Sequence, residues 1–263
     1  MRGREATVSR PSLLVWATSL LAFAYLVLPV LIVIPLSFTS SRYLQFPPPG
    51  WSLEWYATFF QDPVWIRSTL NSVKLGLAVA AVATIVGTGA AYGLVRGEIR
   101  GRRLLLGVLL SPMIVPAIVT AIALYSLYAR LGLVGNFLGM VLAHTVLATP
   151  LVVVNVAAGL QRLDPVLERA SMSLGAGPLR TFLGVVLPNI LPGVLSGALF
   201  AFITSFDELV VVLFIGGNTM TLPRKIWEDL VVLVEPTQAA ASTILIVVST
   251  VLMGLWGLLQ RRA

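Results

Sequence analysis

Apolar runs long enough to cross a membrane recur along the chain, and the short segments between them hold most of the charge. A hydrocarbon core takes about 20 apolar residues in helical form, and six runs meet that length: Leu13–Ser37, Thr69–Val95, Leu104–Tyr128, Leu133–Leu160, Ile190–Gly216 and Gln238–Leu259. Strings such as "VLIVIPL" and "LVVVLFI" do not alternate polar with apolar, which excludes an outer-membrane barrel. The pattern predicts an all-α polytopic membrane protein with six transmembrane helices. Residues 1–12 form a cytoplasmic N-terminus and 13–263 a single transmembrane domain. The first run is too long for a signal peptide and lacks a clear cleavage site, so it reads as an uncleaved helix.

Composition sharpens this picture. Of 263 residues, 57% are hydrophobic and 11% charged, against roughly a quarter charged in soluble domains. The formal charge of +7 does not indicate nucleic acid, because the basic residues sit in clusters between spans. Arg2, Arg4 and Arg10, then Arg96, Arg100, Arg102 and Arg103, then Arg162, Arg169 and Arg180, and finally Arg261 and Arg262 all fall on one side of a six-span layout. The positive-inside rule makes that side cytoplasmic and puts both termini there. Outside, basic residues are offset by Glu54, Asp62, Glu228, Asp229 and Glu235, with outer loops at about 38–68 and 217–237. The first of these carries a Pro-Pro-Pro-Gly break and five aromatics from Trp51 to Phe60, which suit a short interfacial helix or a docking surface. The chain has no cysteine, which removes thiolate catalysis and Cys-ligated metals.

One segment breaks the apolar pattern. Between spans four and five, at about 161–189, "LDPVLERASMSLG" has the punctuation of a short helix. Asp164 serves as N-cap, Pro165 as first helical residue and Gly175 as the stop. Leu167, Ala170 and Leu174 share a face, with Glu168 and Arg169 at other angles. After Gly175-Ala176-Gly177, a second run opens at Pro178 and stops at Pro188. A short amphipathic helix of this kind needs cover from the bilayer surface, its own chain or a soluble partner.

This segment resembles the cytoplasmic coupling loop of ABC importer permeases: Glu-Ala-Ala, three residues, Gly, nine residues, Ile-x-Leu-Pro. Gly175 takes the glycine position, Val185 the isoleucine, and Leu187-Pro188 the Leu-Pro, all at the family spacing. The motif's Glu-Ala-Ala falls on Arg169-Ala170-Ser171, so arginine replaces the acid, with Glu168 one place earlier. Adjacent helical positions diverge by about 100°, so Glu168 does not simply substitute for it. The likeness extends to "LAHTVLATP", "LPGVLSGALFAFITSFDEL" and "TLPRKIWEDL", which are similar to spermidine/putrescine-type permeases. The resemblance implies a permease subunit in a bacterial inner membrane, paired with a second permease (a heterodimer), two ATPase subunits and an extracytoplasmic binding protein. It implies translocation of a small cationic solute by alternating access; opines, amino-phosphonates and thiamine are the alternative solutes. No phosphate-binding G-x-x-x-x-G-K-[ST] loop is present, so the chain is expected to hold no cofactor, with ATP and Mg bound by the ATPase.

Other candidate residues are few. Asp207 and Glu208 lie in the outer part of span five, where a carboxylate costs several kcal/mol unless paired or wet. Either lines a solute pathway or forms an ion pair, with Lys74 one possible partner. Trp227 and Glu235 combine an aromatic face with a carboxylate, which suits a polyamine and equally a solvated loop. Gly193, Gly197 and Ala201 form a small-x-x-x-small run for helix packing. His144, the only histidine, is a packing residue or a proton relay. Its pairing with Ser126 or Ser205 is the slim basis for an intramembrane enzyme. An ion channel using Asp207 leaves the coupling loop without a purpose.

Overall fold

In a computed structural model the described residues are 12–260, with side chains followed as far as Val251. The arginines of both termini lie outside them. The elements in order are α1 (Leu13–Ser37), α2 (Glu54–Gln61), α3 (Pro63–Arg96), α4 (Arg102–Leu110), α5 (Ala117–Leu131), α6 (Phe137–Arg162), α7 (Pro165–Ser173), α8 (Pro178–Thr181), α9 (Leu187–Phe206), α10 (Val210–Ile215), α11 (Leu222–Val232) and α12 (Pro236–Gln260). A 3₁₀ turn at Ser111–Met113 follows α4, and a π-helical segment at Phe182–Val186 joins α8 to α9. Among the described residues, α1, α3, α6 and the continuous run 178–206 are each long and apolar enough to cross a membrane. The bent pair α4–α5 makes a fifth candidate, and α12 is compatible with a sixth.

Two of the expected spans are broken. Instead of one continuous helix at 104–128, the chain forms two limbs at 102° to each other, around Pro112 and Pro116. Proline removes a donor and bars the helical region to the residue before it, and two of them four residues apart turn a kink into a corner. The fifth run ends at Phe206 and resumes at Val210. There Glu208 accepts a hydrogen bond from Val211 N at 3.0 Å, so the side chain takes a donor from the α10 backbone.

The chain divides into two compact units, residues 1–62 with 229–263, and residues 63–228. In the first, α12 packs against α1 and α2. Trp55 and Phe59 of α2 are buried, Trp55 Nε1 donates to Thr39 O at 2.7 Å, and Tyr56 OH meets Ser37 Oγ at 2.7 Å. The expected short helix is present, but only part of its aromatic set, Trp51 and Phe60 included, faces outward.

The second unit is built on α3, α6 and α9, which share its most extensive contacts. Small residues set their separation. A Cβ on Gly197 would sit 3.0 Å from Val152 Cα, and one on Gly193 2.9 Å from Asn155 O; one on Gly87 would meet Val152 at 2.7 Å and one on Gly76 the Phe202 ring at 2.9 Å. Lipid supplies no hydrophobic drive between helices, so close backbone approach has to supply the dispersion energy. Gly193, Gly197 and buried Ala201 therefore serve packing. His144 and Ser205 are buried in the same unit with Nδ1 and Oγ 2.9 Å apart, a hydrogen bond between α6 and α9. Ser126 bonds instead to Ile122 O in its own helix.

Gly197→Val is expected to lower stability by about 1–3 kcal/mol, since the added atoms press on α6 backbone that has no room to yield. A drop in the thermal aggregation midpoint of the detergent-solubilised protein, absent from Gly107→Val on an open helix surface, checks this.

Candidate functional site

The segment between α6 and α9 folds as a two-armed loop. Asp164 Oδ1 accepts from Val166 N at 2.9 Å, which caps α7, and Pro165 fills its first position. After α7 the chain reverses through Gly175, whose φ of +88° is the left-handed conformation that favours glycine. Gly175 N and Ala176 N close the turn onto Met172 O and Ser171 O. Ser171 Oγ and Thr181 Oγ1, 3.0 Å apart, tie the two arms together.

The second arm does not stop at Pro188. It runs through the π-segment 182–186 directly into α9, with Val185 and Leu187 half-buried. Pro188 cannot donate in an α register, and the wider i→i+5 register carries the helix up to it. Asn189 Nδ2 donates to Val185 O at 2.6 Å, adding a donor beside the proline.

The two charged neighbours on α7 point opposite ways. Glu168 is buried at 6% exposure and faces its own unit. Its Oε1 accepts from Arg96 Nε at 2.6 Å and its Oε2 from Tyr92 OH at 3.1 Å. Arg96 Nη2 also donates to Leu163 O at 2.8 Å. Removing one member of a buried pair of this kind typically costs 3–5 kcal/mol, because the other is left uncompensated. Arg169 is exposed, as are Val166, Leu167, Ala170, Met172 and Leu174 on α7, and Leu179, Arg180 and Leu183 on the second arm. Leu174 is 90% exposed. The predicted face of Leu167, Ala170 and Leu174 therefore has no cover from the described residues of its own chain.

At the other candidate position, Asp207 and Glu208 occupy the break between α9 and α10. Asp207 is exposed and makes no salt bridge among the described residues, so a fixed pair with Lys74 is not formed. Trp227 is exposed on α11, whose Arg224 pairs with Glu228 at 2.7 Å and donates to Gly217 O. Glu235 is exposed and belongs to the first unit; its N–H donates to Gln238 Oε1. Sequence reasoning missed Tyr92 and Arg96, which sit one turn apart at the end of α3. Arg96 looked like one more basic loop residue, and only its position as the last residue of a long helix hinted otherwise.

Comparison with known proteins decides the class. Residues 83–263 match the family model "Binding-protein-dependent transport system inner membrane component". The chain belongs to this family. Among its relatives, the spermidine/putrescine transport system permease protein PotC of Haemophilus influenzae is 33% identical over 241 residues, covering 91% of this chain and 93% of that one. The putrescine transport system permease protein PotI of Escherichia coli is 34% identical over 235 residues, covering 86% and 83%. In fold, the permease is similar to a chain of a bacterial ABC transporter involved in import of the acidic polysaccharide alginate, with a TM-score of 0.67 at 16% identity over 94% of this chain and 95% of that chain. A chain of an amino acid ABC transporter aligns with a TM-score of 0.61 at 20% identity, covering 80% and 98%. The expected resemblance and all-α membrane fold are thus borne out. The chain is a multi-pass permease subunit of an ABC importer, and its relatives are named as transport permeases.

Gly175→Val meets no neighbour within 4 Å, so its cost is backbone strain alone, about 1–2 kcal/mol. Hydrogen exchange is expected to quicken at residues 170–177 and stay unchanged in α3, α6 and α9. Loss of protection across all three helices would contradict this localisation.

Proposed function

We propose that this permease carries a polyamine across the membrane in an ATP-driven importer, and that its two-armed loop is where a separate ATPase engages. The carrying observation is the exposed apolar surface of Leu167, Ala170, Met172, Leu174 and Leu179, flanked by Arg169 and Arg180, across two arms of which the first has its buried carboxylate committed to its own chain. Family membership and the family spacing of Gly175, Val185, Leu187 and Pro188 support the same reading. Arg169, outward in the acid position of the family pattern, is the polar residue available to the partner, together with Ala176 at the turn. The basic clusters support a cytoplasmic side for this loop and both termini.

Two such ATPases, a second and distinct permease and an extracytoplasmic binding protein complete the assembly. ATP and Mg belong to the ATPases, so this chain's part is mechanical and electrostatic. Closure of the ATPases displaces the loop, and the permease pair exchanges outward-facing for inward-facing access. Along the pathway Asp207, without an ion pair among the described residues and placed where the helix is broken, offers a carboxylate to an ammonium group. Glu208 shapes the break by capping α10. Trp227 and Glu235 serve the outer face, by cation–π contact and charge. The polyamine assignment draws on the relatives named for spermidine and putrescine.

A pull-down of the tagged chain from gently solubilised membranes tests the assembly; an ATPase and a second permease are expected. Recovery of the chain alone, repeated after cross-linking in intact membranes, would overturn it. Asp207→Asn is expected to lower uptake of radiolabelled spermidine and putrescine about tenfold, the scale of one lost charge-assisted contact, with assembly unchanged. Equal loss of uptake and assembly would make Asp207 a structural residue.

A further inference from the structure

The loop is clamped to its own bundle at more points than its fold requires. Tyr92 and Arg96 are four residues apart and share one face at the end of α3. Between them they hold both oxygens of Glu168, in the middle of α7, and the carbonyl of Leu163, just before it. The Tyr92 ring also stands edge-on to Phe182 on the second arm, with centroids 5.3 Å apart and planes at 78°. One helix end thus grips both arms, and the Ser171–Thr181 contact ties the arms to each other.

The opposite end of the same helix has a second polar clamp. Asn71 Nδ2 donates to Met220 O at 2.9 Å, and Ser72 Oγ accepts from Leu222 N at 2.8 Å. These bonds hold the segment that leads into α11. Between the clamps, from Ser72 to Tyr92, α3 has no proline, and at about 1.5 Å per residue this stretch spans roughly 30 Å. Gly76 and Gly87 key it to α9 and α6 along the way.

We propose that Arg96 and Glu168 are positioning residues for energy coupling. They lock the loop to α3, so a displacement of the loop is delivered to the α3–α6–α9 body and to the Met220–Leu222 segment at its far end. Without the lock, the glycine turn and the π-segment on either side of the second arm let the loop yield locally. This proposal rests on the reading that an ATPase engages the loop.

The test reads transmission directly and does not depend on knowing the solute. The chain has no cysteine, so Asn218→Cys, at an exposed position beside the clamped segment, reports through its rate of maleimide labelling in the complex purified with its ATPase. Trapping the ATPase with ATP and vanadate is expected to change that rate about tenfold in this parent, within the usual range of coupling between sites. In Glu168→Gln and Arg96→Gln the change is expected to vanish while the ATPase still co-purifies and hydrolyses ATP. Tyr92→Phe deletes one hydroxyl, keeps the ring against Phe182 and provides a milder variant; its response is expected to fall between the two.

Variants that assemble and keep the parent's full response overturn the proposal. So does a Glu168→Gln complex that loses ATPase and thermal stability together while Tyr92→Phe responds like the parent, because the pair is then structural only. A parent that purifies without an ATPase overturns the reading of the loop itself, and this proposal with it.

Discussion

The close approach of α3, α6 and α9 is the constraint on which the rest of the larger unit hangs. In lipid these helices gain nothing from hiding apolar surface, because lipid tails are as apolar as leucine. Contact has to come from backbones brought near each other, and glycine at positions 76, 87, 193 and 197 permits that. The resulting frame carries the two-armed loop at one end. At the other it carries the α9–α10 break and the segment leading into α11. The buried His144–Ser205 hydrogen bond adds a polar tie inside it. The two-armed loop and the segment leading into α11 are attached to this frame by named polar bonds, so irregular backbone need not be loose backbone.

Much of this was legible in the chain, for reasons tied to particular residues. Span α1 was found end to end because it carries no charge and only Thr18, Ser19 and the terminal Ser37 interrupt its apolar run. Asp164, Pro165 and Gly175 were readable because capping and left-handed stops depend on local chemistry alone. Span five was less readable. Its start was masked by Pro188, which looks terminal in an α register but is compatible with a π-segment. The corner at Pro112 and Pro116 was not read from the single apolar run at 104–128, because a proline pair in sequence does not specify how far the limbs diverge.

The candidate site divides along the same line. The exposed face of α7 followed from helical periodicity. The Arg96–Glu168 pair did not, since 72 residues separate the partners and both lie in segments rich in charge. The loop's long-range attachments were thus hidden, while its local shape was plain. The coupling-loop reading gained its strength from spacing rather than identity. Gly175, Val185 and Pro188 stand at their family positions even though Arg169 does not match.

The opposed directions of Glu168 and Arg169 have a consequence for how such a subunit can diverge. One helical step separates a position buried in the chain's own fold from one that is exposed and, in the proposed function, answerable to a neighbour. Exchanging the outer charge leaves the inner bonds untouched, so partner choice can drift without a folding penalty. In the proposed coupling role, a subunit with arginine outside and one with glutamate outside would ask for opposite charges in return, while the interior that fixes the loop's shape is held constant.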